Sequence, residues 1–330
     1  VKILLTGASG FLGRRLANAL AAQHELRLLL RPTARREGLP AAEIVAGDVA
    51  DRATLEAAAA SQDAIVHGAA LVRILAPQRE FERVNVGGTE AVLAAARRHG
   101  VGRLLHLSSF MALGATEGGP GGELDETAEP ADRRWINEYE RTKALADRLV
   151  RRAAAEGLPA LLLYPTVIYG PGDLTEGNLV VRHLLDLAAG RVPALLGRPE
   201  RRWNYVHVDD VVAGAVAALE RGRPGDRYVL GGESVRLDAF YRLISEIGGI
   251  RVPSRRLPDA VATLFGALAK GWARLAGGTP RLTPDLVEVY RHDWAYRSTT
   301  AEAELGYRPR SLATGLAETI AWLRAEGRWP

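Results

Sequence analysis

The first thirteen residues constrain the fold more than any other stretch of the chain. Val1–Leu5 is a short apolar run, and Thr6-Gly7-Ala8-Ser9-Gly10-Phe11-Leu12-Gly13 follows it directly. Helical periodicity then runs from Phe11 to Ala22. Glycines spaced G-x-x-G-x-x-G between a strand and a helix allow three things: a tight turn, close approach of the backbone to a pyrophosphate, and close helix–strand packing. The phosphate then lies at the helix N-terminus. The turn formed by Gly7, Gly10, Phe11, Leu12 and Gly13 is therefore expected to hold a dinucleotide.

The rest of the first half repeats the alternation. Apolar runs at Leu26–Leu30, Glu43–Val45, Asp63–His67, Arg103–Leu107 and Ala160–Leu163 read as strands. Helical patterns cover Asp51–Ala60, with Asp51 as cap, then Phe81–His99 and about Asn137–Glu156. Strands separated by such helices predict βαβ units and a parallel sheet. After Pro165 the rhythm breaks, and Asn204–Val208 followed by a helix over Asp209–Glu220 reads as a return to the first domain. The expected fold is α/β: a Rossmann-type doubly wound parallel sheet with a smaller, interleaved C-terminal α/β substrate domain. Residues 1–164 plus about 204–222 are assigned to the first, and about 165–203 and 223–330 to the second.

The second strand bears on cofactor choice. An acid at its end would bond a ribose 2′-hydroxyl, whereas an arginine accommodates a 2′-phosphate. Here the strand runs into Arg31, with no acid before Glu37. That favours NADP over NAD, although arginine is common everywhere in this chain. Gly47-Asp48-Val49 follows the third strand, and Asp48 there can accept from an adenine amino group or begin a helix cap.

Charge composition sharpens one further feature. Lys and Arg together number 43, and lysine occurs only at positions 2, 143 and 270. Tyr139 and Lys143 stand four residues apart, on one helical face. With nine tyrosines and three lysines in 330 residues, chance supplies roughly 0.1 such pairs. A fixed positive charge lowers a phenol's pKa toward working pH, which suits the phenol to acid–base chemistry. Ser108 and Ser109 end the fifth strand, at the carboxyl edge where open α/β sheets bind ligands.

Composition also excludes. The chain has no cysteine, hence no disulfide framework, thiolate nucleophile or cysteine-ligated metal, and no metal site is expected. That absence of cysteine fits a cytoplasmic protein, and the start does not have the pattern expected of a signal peptide. The net charge of +4 is spread among interspersed arginines rather than clustered, which argues against a nucleic-acid surface. No apolar run reaches the roughly 20 residues of a membrane span. Leu257–Leu275, with Phe265 and Trp272, reads first as a core helix, and otherwise as a lid or a membrane contact.

Taken together these residues resemble the extended short-chain dehydrogenase/reductase family, of epimerase/dehydratase type, over essentially the whole chain. The resemblance rests on Thr6–Gly13, His67-Gly68-Ala69-Ala70, Asn85, Leu107-Ser108-Ser109, the Tyr139/Lys143 pair, Tyr164–Pro171 and His207-Val208-Asp209-Asp210. It is nearest to hopanoid-associated sugar epimerase, dihydroflavonol reductase and 3β-hydroxysteroid dehydrogenase types. It implies Tyr139 as acid/base, Lys143 on the nicotinamide ribose, and Ser109 as third catalytic residue with Ser108 as second choice. Pro165 and Val167 would face the nicotinamide, and Ala69 the phosphate–ribose stretch.

The resemblance also implies a homodimer formed through the helices that include Tyr139 and Lys143. It implies a reductase or dehydrogenase acting on a hydrophobic or polycyclic small molecule, or else a nucleotide-sugar epimerase or dehydratase. Nucleotide-sugar members carry a phosphate-gripping arginine where this chain has Trp203, with Arg202 beside it and Asn178 as a further candidate contact. A non-catalytic NADP-sensing protein would typically lack the Tyr/Lys pair.

Overall fold

A computed structural model describes residues 1–72, 76–116, 122–129, 135–175, 177–276, 280 and 282–330. The chain opens with β1 (Lys2–Thr6), α1 (Phe11–Ala21), β2 (Glu25–Leu30), β3 (Glu43–Ala46), α2 (Arg52–Ala59) and β4 (Ala64–His67). A continuous helical segment follows, made of α3 (Gln78–Phe81), a π-helical stretch (Glu82–Gly87) and α4 (Gly88–Arg98). Then come β5 (Arg103–Leu107), α5 (Phe110–Leu113), α6 (Glu138–Ala155), β6 (Ala160–Pro165), β7 (Val167–Tyr169) and α7 (Leu179–Ala188). The last part contains β8 (Arg202–His207), α8 (Val208–Arg221), β9 (Arg227–Leu230), β10 (Glu233–Arg236) and α9 (Leu237–Gly248). It ends with α10 (Asp259–Ala276), α11 (Pro284–Tyr290), α12 (Thr299–Leu305) and α13 (Leu312–Ala325).

The main sheet has seven strands in the order β3-β2-β1-β4-β5-β6-β9, and every pairing is parallel. Parallel sheets need helices on both faces, and the residues alternate to suit. Leu4, Ile65, Leu104 and Leu162 point into one core, with α2, α4 and α6. Ile3, Leu5, Ala64, Val66, Leu105 and Leu163 point into the other, with α1, α8 and α12. The alanine-rich faces of α4 and α6 spend much of their packing here: Ala91, Ala95, Ala96, Ala144 and Ala153 are buried in the chain's own core.

Two expectations are corrected. The strand at 202–207 does not rejoin the main sheet. It pairs with β7 in parallel and with β10 antiparallel, in a separate three-stranded sheet. The seventh main strand is instead β9, from the segment expected to be wholly in the second domain. Apolar alternation marks a strand but not which sheet edge it joins. The helix over Phe81–His99 also contains a π turn, in which the Gly88 N–H reaches back five residues to the Arg83 carbonyl.

Asn204, fully buried on β8, joins the small sheet to the rest. Its Oδ1 accepts from the Thr166 hydroxyl at 2.7 Å and the Gly232 N–H at 2.8 Å. Its Nδ2 donates to the Gly232 carbonyl at 3.0 Å, the Ser234 hydroxyl at 3.0 Å and the Tyr296 carbonyl at 2.9 Å. In the same region His207 caps α8 through Nδ1, and Asp210 receives the Arg310 guanidinium at 2.9 Å. Asn204→Leu, which leaves several buried partners unsatisfied, is expected to cost about 3 kcal/mol of unfolding free energy. Urea titration of the two proteins checks this, and an unchanged midpoint contradicts the assigned role.

Candidate active site

A cleft of about 1260 Å³ runs along the carboxyl ends of the main-sheet strands. The glycine turn forms one end of it. Gly7 has a φ of +84°, and a Cβ there would lie 2.6 Å from the Ala69 nitrogen. A Cβ on Gly13 would lie 2.0 Å from the Gly7 carbonyl oxygen, so α1 can approach the turn only with glycine at that position. Gly10 begins α1 with no side-chain cap. The first-turn amides are therefore left to an anionic ligand. This cradle, which side chains would fill, fits a dinucleotide pyrophosphate.

A buried hydrogen-bond chain ties the turn to α6. The Ala69 N–H donates to Thr6 Oγ1 at 3.2 Å, and Thr6 Oγ1 meets His67 Nδ1 at 2.8 Å. His67 Nε2 meets Thr89 Oγ1 at 3.2 Å, and Thr89 Oγ1 donates to the Asn85 carbonyl at 2.7 Å. Because the Thr89 proton is committed, His67 Nε2 must be the donor in that contact, leaving Nδ1 to accept from Thr6. Asn85 Nδ2 donates to Thr142 Oγ1 at 3.0 Å, and Thr142 in turn donates to the Glu138 carbonyl at 2.7 Å. Asn85 also clamps Leu71, accepting from its N–H at 2.7 Å. Burial, aided by the Lys143 charge, pushes His67 down to about 3, so the imidazole stays neutral.

Tyr139 and Lys143 project from α6 into the middle of the cleft, opposite Ser109. Ser109 Oγ caps α5 by accepting the Met111 N–H at 3.3 Å. Its proton is then free to donate to the Tyr139 phenol. Burial raises the phenol above its ordinary value, and the Ser109 hydrogen bond works the other way. Lys143 Nζ donates to the Leu107 carbonyl at 2.8 Å. Burial lowers Lys143 to about 8, with Asp147 opposing the shift. Desolvation thus outweighs the Asp147 charge at Lys143 and the Ser109 hydrogen bond at Tyr139, and the phenol lies above its ordinary value rather than being lowered by Lys143 as the sequence predicts.

The residues expected to contact cofactor all line the cleft: Gly7, Gly10, Phe11, Leu12, Gly13, Arg31, Asp48, Val49, Ala69, Lys143, Pro165 and Val167. Burial works to raise the Asp48 pKa but is overcome by the Ala50 N–H, the Arg83 guanidinium and the Arg31 charge, so it lies below the usual range. Ser108 also lines the cleft, but its hydroxyl is committed to buried Asp147 at 3.0 Å. Asn178 is buried and starts α7, donating to the Gly170 carbonyl at 3.1 Å, and it is not on the cleft wall. Arg202 is also off the wall, bound to Glu123 at 2.6 Å. Both follow from chain direction: one side chain turns back to its own loop, the other outward to an acid.

The far half of the cleft is aromatic and was missed in the sequence. Trp203, Tyr205, Phe240, Tyr290 and Phe110 line it. Tyr205 stacks on Phe240 with centroids 4.2 Å apart, and Trp203 lies 4.5 Å from Tyr290. His183 is pushed down to about 4, chiefly by burial, so it is neutral there. Trp203 and Tyr205 share one face of β8, which two-residue periodicity signals once the strand is known. Nothing local points to Phe240 or Tyr290. Among the described residues the cations lining the cleft are Arg31, Lys143 and Lys270, and Lys270 is paired with Asp285 at 3.1 Å.

Residues 3–231 match the NAD dependent epimerase/dehydratase family. The chain belongs to this family. It is an enzyme whose relatives include oxidoreductases, epimerases and dehydratases. It is 33% identical to sterol demethylase protein B of Methylococcus capsulatus, covering 98% of each chain. It is 31% identical to the 4-hydroxy-2-methyl-3-oxo-4-farnesyl-3,4-dihydroquinoline-1-oxide ketoreductase of Stigmatella aurantiaca, covering 94% of this chain and 92% of that one. Among solved structures, the enzyme resembles the dTDP-glucose 4,6-dehydratase DesIV of Streptomyces venezuelae with NAD and TYD bound. The TM-score is 0.77 at 26% identity, covering 100% of this chain and 99% of that one.

The lowered Lys143 pKa makes stability depend on pH. Between pH 8 and 10.5 the folded enzyme sheds this proton while the unfolded chain keeps it, so stability rises with pH. Relative to Lys143→Met, the wild type is expected to gain roughly 3 kcal/mol across that window. Urea unfolding of both proteins at several pH values checks this, and a constant difference contradicts it.

Proposed function

We propose that the enzyme interconverts a ketone and a secondary alcohol on a hydrophobic, polycyclic molecule, with NADP(H) as redox partner. The observation that carries the reading is the substrate half of the cleft. It is walled by Trp203, Tyr205, Phe240 and Tyr290, and the one cation described there, Lys270, is already paired. A flat apolar ligand gains from such walls. A sugar diphosphate needs unpaired cations or donors there. The sterol and farnesyl-quinoline names of the relatives point the same way. NADP preference is supported by Arg31, exposed on the cleft wall where an acid would select NAD.

NADPH, which the glycine turn, Arg31 and Lys143 would hold, would supply the hydride equivalent for reduction of a carbonyl. Tyr139 delivers the proton to the carbonyl oxygen, and the Ser109 hydroxyl donates a hydrogen bond to that oxygen as negative charge develops. Lys143, one helical turn along α6 and anchored on the Leu107 carbonyl, lines the same part of the cleft, where a positive charge would favour the phenolate left behind. Solvent returns the proton to Tyr139. The carbonyl has then gained one hydride and one proton. Thr142, next to Lys143 on α6, is held by Asn85, which keeps the helix in register with the glycine turn.

Likeness to DesIV supports a second reading, in which the same groups take a hydride from a nucleotide sugar and give it back. Thermal shift separates the two. UDP- or dTDP-sugars are expected to add nothing to the stabilisation given by NADP alone, and a further rise in melting temperature favours the second reading. Tyr139→Phe is expected to lower kcat by roughly 10²–10⁴ with cofactor affinity unchanged, and full activity in that variant contradicts the mechanism. Arg31→Asp is expected to weaken NADP binding relative to NAD by about tenfold or more, as read by fluorescence titration. An unaltered ratio contradicts the assignment of Arg31.

A further inference from the structure

The helix α10 has two faces of different character. Its inner face carries Ala262, Gly266, Lys270 and Ala273. Ala262 is fully buried, a Cβ on Gly266 would meet the Thr283 backbone at 2.8 Å, and Lys270 and Ala273 form part of the cleft wall. The outer face carries Val261, Leu264, Phe265, Leu268, Trp272 and Leu275, each between 39% and 87% exposed. Their spacing of three, four and seven residues aligns them along one side of the helix. The sequence reading as a core helix is therefore corrected: the apolar stripe faces outward. An apolar surface of this size marks an interaction site.

Charge selects the occupant. Between residues 251 and 281 the sequence holds six basic residues against one acid, Asp259. Asp259 is met by Arg291 at 3.4 Å, and Asp285 of α11 is met by Lys270. Arg251 and Arg255 are exposed, with no carboxylate partner among the described residues. No charged residue lies within the outer stripe itself. Arg256 is committed to the Leu196 and Gly197 carbonyls and Lys270 to the cleft side, so among the described residues the free charge is that of Arg251 and Arg255 just before the helix. A helix with an apolar face, exposed Trp and Phe, and unpaired arginines at its start suits the headgroup region of an anionic bilayer. A second copy of this chain is disfavoured, because stacking two such helices would also bring their basic segments together.

No helix among the described residues is long and apolar enough to cross a membrane, so the contact is with the surface. We infer that α10 docks the enzyme on an anionic lipid bilayer, with Leu264, Phe265, Leu268, Trp272 and Leu275 inserted. The helix that touches lipid on one face then walls the substrate cleft with the other. The inference concerns the surface alone and holds whichever alcohol or ketone the cleft accepts.

Vesicle co-flotation of the full chain tests it without any substrate. One set of vesicles is phosphatidylcholine alone, and the other contains about one-third phosphatidylserine. The wild type is expected to float with the anionic vesicles, to float poorly with the neutral ones, and to be released by high salt. Leu268→Glu/Trp272→Glu is expected to weaken partitioning by about tenfold or more, while retaining the wild-type circular dichroism and cofactor affinity. If that variant misfolds, Leu264→Ser/Leu275→Ser, which removes apolar area without adding charge, takes its place under the same criterion. Failure of the wild type to float with anionic vesicles overturns the proposal. So does flotation of a folded variant equal to wild type. A wild-type dimer that becomes monomeric in the variant, with no vesicle binding in either, overturns it in favour of self-association.

Discussion

The chain of buried hydrogen bonds from Thr6 through His67, Thr89 and Asn85 to Thr142 is the constraint on which the site depends. It joins the end of β1, the end of β4, the π turn and α6. Those are the elements that carry the glycine turn at one end and Tyr139 with Lys143 at the other. Each member has one allowed donor–acceptor role, set by the commitment of the Thr89 and Thr142 protons to main-chain carbonyls. A chain of this kind resists rearrangement, because breaking one link leaves a buried polar group without a partner. Keeping His67 neutral matters for the same reason, since a second buried charge would be opposed by that of Lys143.

Electrostatics in the cleft divide along its length. Near the glycine turn are free helix amides and two arginines around Asp48. In the middle are a phenol pushed up and an ammonium pushed down by burial, so each is nearer to neutrality than in water. Beyond them the walls are aromatic. A ligand with a charged end, a reactive middle and an apolar partner matches this gradient. Ser108 belongs to a layer behind the site: with Asp147 it braces the end of β5, whereas Ser109, one residue on, reaches the phenol.

The sheet, its parallel sense and the residues around the glycine turn were legible because each rests on local pattern. Gly7 and Gly13 declare themselves by spacing, and Tyr139 with Lys143 by a helical repeat in a lysine-poor chain. What could not be read depends on contacts between distant segments. Asn85 meets Thr142 across 57 positions, and Tyr205 stacks on a residue of α9. The strand β8 looks the same in sequence whichever sheet it joins. Arg202 and Asn178 were plausible ligands by position, but side-chain direction sends one to Glu123 and the other to Gly170. The outer stripe of α10 has the apolar repeat of a core helix, and only the packing of its opposite face on α11 and the cleft shows which side meets solvent.

On the function we propose, the aromatic end of the cleft commits this family's chemistry to net oxidation or reduction of an apolar substrate. The most direct measurement follows the near-ultraviolet absorbance of reduced nicotinamide while product is quantified in the same sample. With NADPH and a polycyclic ketone, the account predicts one cofactor consumed for each alcohol formed, and no conversion of dTDP- or UDP-glucose. Conversion of a nucleotide sugar with no net change in that absorbance, alongside inert polycyclic ketones, would contradict it.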